Sequence, residues 1–210
     1  MDISLLDLSS AAGLVATVLL TANFLLGMML STAYRKSWYW KKAPALVKRI
    51  PVADIHNWTA YVALAIAAVH PLLLVVDKTS KFTLVDVLFP LHAPHQRLFV
   101  ALGALAFYAL VLVVLTSQDG IRKRMGFRAW KNVHLISYAT ALLFVVHGVV
   151  MDPLLKDRPV DFFDAEKVLS EGCALLLLVA TWFRVRYQMA KRKAPVEQAV
   201  ASGAETDPRR

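Results

Sequence analysis

Five long apolar runs separate the charges of this 210-residue chain, and they constrain its fold more than any other feature. A helix needs about 20 apolar residues to cross roughly 30 Å of hydrocarbon. Runs of that order lie near 11–33, 54–76, 97–116, 132–151 and 168–187. The interiors of the first four are uncharged. The uncharged core of the fifth, Gly172 to Phe183, is bounded by Glu171 and Arg184, whose charges are expected to snorkel to the interface. The expected fold is therefore an all-α integral membrane protein, a five-helix transmembrane bundle over residues 1–190. Residues 191–210 are rich in alanine and charge, include Pro195 and Pro208, and read as a disordered cytoplasmic tail. Met1–Ser10 holds Asp2 and Asp7 but no Lys or Arg, and the run after it is too long for a signal-peptide core. The first run thus reads as a span rather than a cleaved leader.

The basic residues orient the bundle. With 24 Lys+Arg against 15 Asp+Glu the net charge is +9, which in a soluble chain would suit nucleic acid. Here the cations sit between spans, so the expected partner is the lipid bilayer and no nucleic acid. Arg35 to Arg49, Arg122 to Lys131, and Arg184 onward place eighteen basic residues on one side. Lys78, Lys81, Arg97, Lys156, Arg158 and Lys167 place six on the other. By the positive-inside rule the N-terminus is outside and the C-terminus cytoplasmic, in a multi-pass protein of the inner membrane. Trp38, Tyr39, Trp40, Trp130 and Trp182 near the cytoplasmic ends fit an interfacial aromatic belt.

Four of the six histidines lie inside spans: His56 and His70 in the second, His134 and His147 in the fourth. An ionisable side chain within a span is costly and points to function. His56 and His70 are 14 residues apart, about 21 Å of helix, and His134 and His147 are 13 apart, about 19.5 Å. Both spans run outward, so His56 and His134 share the cytoplasmic depth, and His70 and His147 the outer one. Each pair can clamp a planar macrocycle. The uncharged interior of neither span holds a carboxylate or thiolate near its pair to complete a zinc or di-iron site, whereas a porphyrin brings four equatorial nitrogens of its own. The lone Cys173 excludes thioether attachment, a cysteine-held cluster and a disulfide framework. The expected cofactor is b-type haem, two per chain, with the four histidines as axial metal ligands. Bis-histidine ligation favours electron transfer over oxygen chemistry.

On an ideal helix His56 and His70 fall about 40° apart and share a face, but His134 and His147 fall about 140° apart. The fourth span must therefore tilt, distort locally or meet the haems from different sides. Pro71, directly after His70, is a candidate kink in the second span. His92 and His95 lie in an outer loop, where histidines are ordinarily unremarkable.

The pattern resembles the ferric reductase-like transmembrane family, which includes ferric reductases and NADPH oxidases. The resemblance rests on His-x13-His in the second span, His-x12-His in the fourth, and Gly126-Phe127-Arg128-Ala129-Trp130-Lys131-Asn132-Val133-His134 with Ser137 and Tyr138 beyond it. It covers about residues 15–187. It implies an inner haem on His56 and His134 and an outer one on His70 and His147. Members that oxidise NADPH continue into a flavin- and nicotinamide-binding region. The eight glycines here offer no G-x-G-x-x-G, so electrons are expected from a separate donor, a cytoplasmic flavoprotein or quinol. The oxidases also carry a histidine one turn beyond the outer ligand, where this chain has Leu74, and a charge in the first span, which is uncharged here. Superoxide production is not expected.

The expected function is that of a membrane cytochrome b, an oxidoreductase component that moves electrons from that donor to an external acceptor such as ferric iron or a redox protein. Arg128 and Lys131 are candidates to pair with inner-haem propionates, although topology alone accounts for their charge. The alternative within the same resemblance is a single-haem subunit feeding a periplasmic methionine-sulfoxide reductase. A rival of another class is a transporter whose histidines move protons or a metal, which would call for acidic residues inside the spans.

Overall fold

The computed structural model describes residues 4–32, 34–155 and 165–201, and within them there is helix but no strand. In chain order the helices are α1 (Leu5–Ser31), α2 (Trp38–Lys42), α3 (Ala45–Lys48), α4 (Val52–Val76), α5 (Leu84–Leu88), α6 (Arg97–Thr116), α7 (Asp119–Met125), α8 (Phe127–His134), α9 (Ile136–Leu155) and α10 (Ala165–Ala201). Five stretches are long and apolar enough to cross a membrane: Leu5–Ser31, Val52–Val76, Arg97–Thr116, Phe127–Met151 and Ala165–Lys191.

The start of α1 follows a capping box rather than the edge of the apolar run. The Ser4 hydroxyl accepts from the Asp7 backbone N–H at 3.1 Å while Asp7 accepts from the Ser4 N–H, so α1 begins earlier than hydropathy alone indicates. Thr83 and Asp86 make the same box at the start of α5. Gly126 closes α7 and opens α8 at φ +76°, ψ 157°, a conformation essentially restricted to glycine. The fourth span is two helices rather than one. α8 ends at His134, α9 begins at Ile136, and the Tyr138 N–H reaches the Leu135 carbonyl at 3.1 Å in a tighter i→i−3 turn. This is the local distortion that the 13-residue spacing demands. By contrast α4 runs through Pro71 without ending. α10 continues to Ala201, into the stretch read as a tail; residues 202–210, Lys156 and Arg158 lie outside the described residues.

Packing is inverted relative to a water-soluble bundle. Leu142, Leu175 and Leu178 are 63%, 63% and 67% exposed, whereas Ser9, Thr21 and Thr140 are 1%, 3% and 5% exposed. In hydrocarbon the leucines face lipid, and hydroxyls and small residues such as Ala63 and Ala106 let the helices approach. The chain is a multi-pass membrane protein. α1 packs most extensively on α4 and α6 on α9, while α10 rests on α1 and α9.

Candidate functional site

The fold brings the four span histidines together as two pairs. The ring centres of His56 and His134 are 6.3 Å apart with planes at 70°, and those of His70 and His147 are 6.3 Å apart at 77°. A metal–imidazole nitrogen bond is about 2.0–2.1 Å and the ring centre lies about 1.1 Å behind the nitrogen, so two rings on one metal stand about 6.3 Å apart. Aromatic packing alone allows roughly 4.5–7 Å. The equal separation at both depths is the informative observation.

Three of the four rings are held alike. Nδ1 of His56 lies 3.0 Å from the Asn23 carbonyl, Nδ1 of His70 lies 2.8 Å from the Ser9 carbonyl, and Nδ1 of His147 lies 2.9 Å from the Phe99 carbonyl. A carbonyl can only accept, so Nδ1 carries the proton and Nε2 is left bare, the form that ligates a metal. Four residues beyond each carbonyl stands a glycine. A Cβ at Gly27 would lie 3.1 Å from Cε1 of His56, one at Gly13 would lie 3.1 Å from Cε1 and Nδ1 of His70, and one at Gly103 would lie 2.7 Å from the same atoms of His147. The missing side chains are the space in which the rings reach the backbone of the neighbouring helix.

His134 is held differently. Its Nδ1 is 3.4 Å from the Ser117 hydroxyl, which also accepts from Trp130 Nε1 at 3.3 Å, and the Trp130 ring stacks on His134 at 5.0 Å. Lys131, three residues before His134 along α8, neighbours it on the helix surface, whereas Arg128, six before, lies about 120° round the helix; both cations are exposed. His92 and His95 are exposed between α5 and α6, apart from the pairs.

A cavity of about 370 Å³ opens between the spans, lined by His70 and His147, by Gly13 and Gly103, and by apolar residues such as Phe107 and Phe144. No cluster of three or more His, Cys, Asp or Glu that could ligate a bare metal occurs among the described residues. Two neutral imidazoles across an apolar slot fit a haem, which supplies the equatorial nitrogens itself. The sequence reading picked out the histidines but missed Ser9, Asn23, Phe99, Ser117 and the three glycines. One signal was available: Ser9-x3-Gly13 and Asn23-x3-Gly27 repeat at the same 14-residue interval as His56 and His70.

The family profile described as Ferric reductase like transmembrane component matches residues 12–145. Among curated proteins, the chain is similar to the protein-methionine-sulfoxide reductase heme-binding subunit MsrQ of Herminiimonas arsenicoxydans, at 30% identity over 88 residues, 42% of this chain and 38% of that protein. It is also similar to the protein of the same name from Azospira oryzae, at 31% over 67 residues, 29% of each. The matched stretches thus span well under half the length of these relatives. No solved structure matches.

Proposed function

The chain belongs to the ferric reductase-like transmembrane family, and from that premise we propose that it is a haem-binding membrane subunit passing electrons through the bilayer to a separate redox protein. Of the acceptors considered, a methionine-sulfoxide reductase is favoured over ferric iron, because the curated relatives carry that name. The donor is a flavoprotein or quinol at the basic, cytoplasmic end of the bundle, and the acceptor lies outside, with the N-terminus outside and the C-terminus inside. The membrane is the inner membrane.

The observation that carries this reading is the pairing of His56 with His134 and His70 with His147 at 6.3 Å, three of the four rings having Nδ1 fixed on a carbonyl. These residues would hold two b haems, which when bound supply a one-electron iron couple with both axial positions filled. The carbonyls of Ser9, Asn23 and Phe99 orient the rings and raise their basicity as ligands. Gly13, Gly27 and Gly103 give the rings room, and the cavity at His70 and His147 is lined largely by apolar residues, which suits a porphyrin's apolar faces. Arg128 and Lys131, the cations of α8, would pair with the propionates of a haem held on His134.

A single-haem reading is favoured by two features. His134 lacks the carbonyl partner that the other three share, and the 370 Å³ cavity is lined by His70 and His147 rather than by His56 and His134. Pyridine haemochrome on purified protein, with reduced-minus-oxidised spectra, decides between them. Two low-spin b haems per chain support the two-site reading, one supports loading of the outer pair alone, and a folded, haem-supplemented but colourless protein overturns both.

A further inference from the structure

α1 offers no ligand candidate, yet it grips both α4 histidines in the same way at two depths. At one depth the Ser9 carbonyl accepts from His70 Nδ1 at 2.8 Å, while the Ser9 hydroxyl donates to the His70 carbonyl at 2.9 Å and lies 3.2 Å from Nδ1. At the other the Asn23 carbonyl accepts from His56 Nδ1 at 3.0 Å, while the Asn23 amide donates to the His56 carbonyl and, at 2.8 Å, to the Thr59 hydroxyl. Each clamp has a main-chain arm on the ring and a side-chain arm on the backbone of the same histidine. The two bonds run in opposite senses, so they fix both the height of the residue and the rotation of its ring. Gly13 and Gly27, one turn on, leave room over the faces of the rings, with Nε2 the ring nitrogen farther from the glycine in both cases. His147 supplies an internal contrast: Phe99 has the main-chain arm but no side-chain donor.

We propose that Ser9 and Asn23 are positioning residues that hold His70 and His56 as Nδ1-protonated ligands, each tuning one haem site independently of the other. This rests on the haem-binding reading above. Ordinary interhelical hydrogen bonding would also tie α1 to α4, but it would not set the state of each ring separately.

The test uses the full chain in lipid nanodiscs, with Ser9→Ala and Asn23→Leu. Two readouts apply: redox titration of the haem bands, and nitrogen NMR of histidine-labelled protein, which reports which ring nitrogen carries the proton with or without haem. Ser9→Ala keeps the main-chain arm and hence the tautomer, but should shift the midpoint of the His70–His147 haem alone and the ring-nitrogen resonances of one histidine. Asn23→Leu should do the same for His56 alone. Ser9→Thr retains a hydroxyl, and Asn23→Ser installs at one depth the donor used at the other, so both should restore wild-type values. Folded variants with unchanged midpoints and ring-nitrogen resonances overturn the proposal, as does a disturbance of both sites by either variant. A protein that takes up no haem when supplied with it, yet whose ring-nitrogen resonances depend on Ser9 and Asn23, would refute the haem reading while leaving the clamps standing.

Discussion

Replacing Gly103 by alanine puts a methyl carbon 2.7 Å from Cε1 and Nδ1 of His147, where ordinary contact begins at 3.4 Å, a shortfall of about 0.7 Å. The ring has little freedom to yield, because Nδ1 is tied at 2.9 Å to the Phe99 carbonyl on the same face of α6. The added carbon stands over the face of the ring, at 2.7, 2.7 and 3.0 Å from Cε1, Nδ1 and Nε2, so it pushes the ring across that bond rather than along it. The overpacking costs about 1–3 kcal/mol. For a ligand the displacement matters more than the energy, since metal–ligand distances tolerate only about ±0.2 Å. Gly103→Ala should therefore lose the haem on His70–His147 and keep the other, so that pyridine haemochrome falls from two per chain to one while helicity by circular dichroism is unchanged. Gly13→Ala and Gly27→Ala, at 3.1 Å, fall short by only about 0.3 Å and should retain haem with a shifted midpoint potential. Gly172→Ala, with nothing within 4 Å, is the control and should load as wild type. A Gly103→Ala protein that loads both haems with unchanged spectra would refute the cradle argument, and so would equal losses in Gly103→Ala and Gly172→Ala.

His147→Ala should remove one haem and largely spare that on His56–His134, read as half the haemochrome signal; retention of both in folded protein would break the pairing. Ser117→Ala takes away the partner of both His134 Nδ1 and Trp130 Nε1, and should move only the midpoint of the His56–His134 haem in a redox titration. Asp86 is held below its ordinary 3.8, first by the Thr83 hydroxyl, then by the Thr83 N–H and the nearby His92, in opposition to partial desolvation. A carboxylate lowered on folding stabilises above its unfolded value and loses that contribution as pH falls through the folded one. Thermal melts should accordingly show an acid-side loss below about pH 4 that is smaller in Asp86→Asn, with Asp77, lowered likewise by Thr79, supplying part of the remainder. A fluorescent reporter fused after Arg210 should light up in the cytoplasm, and periplasmic signal there would reverse the orientation read from the basic loops.

Much of the fold was legible in the sequence because its causes are local or additive along the chain. A run of apolar residues determines that a helix spans, and a rise of 1.5 Å per residue determines the depth of each histidine on it. The break at Leu135 was half legible. The 13-residue spacing required a distortion, but no Pro or Gly at 134–136 marks where it falls. The start of α1 at Leu5 depended on a Ser4–Asp7 capping box lying ahead of the hydropathy signal.

Five spans and the family are thus readable along the chain, and with them an expected depth for each histidine. What holds the rings is visible only in the packing of one helix on another. The partners of His56, His70 and His147 are main-chain carbonyls, which every residue possesses, so the residue type at Phe99 carries no trace of its contact with His147. The glycines likewise act by leaving space, and a space acquires meaning only once antiparallel α1 and α4, and α6 and α9, lie close enough for a ring to enter it. Depth is a property of one helix, whereas tautomer and orientation belong to the contact between two.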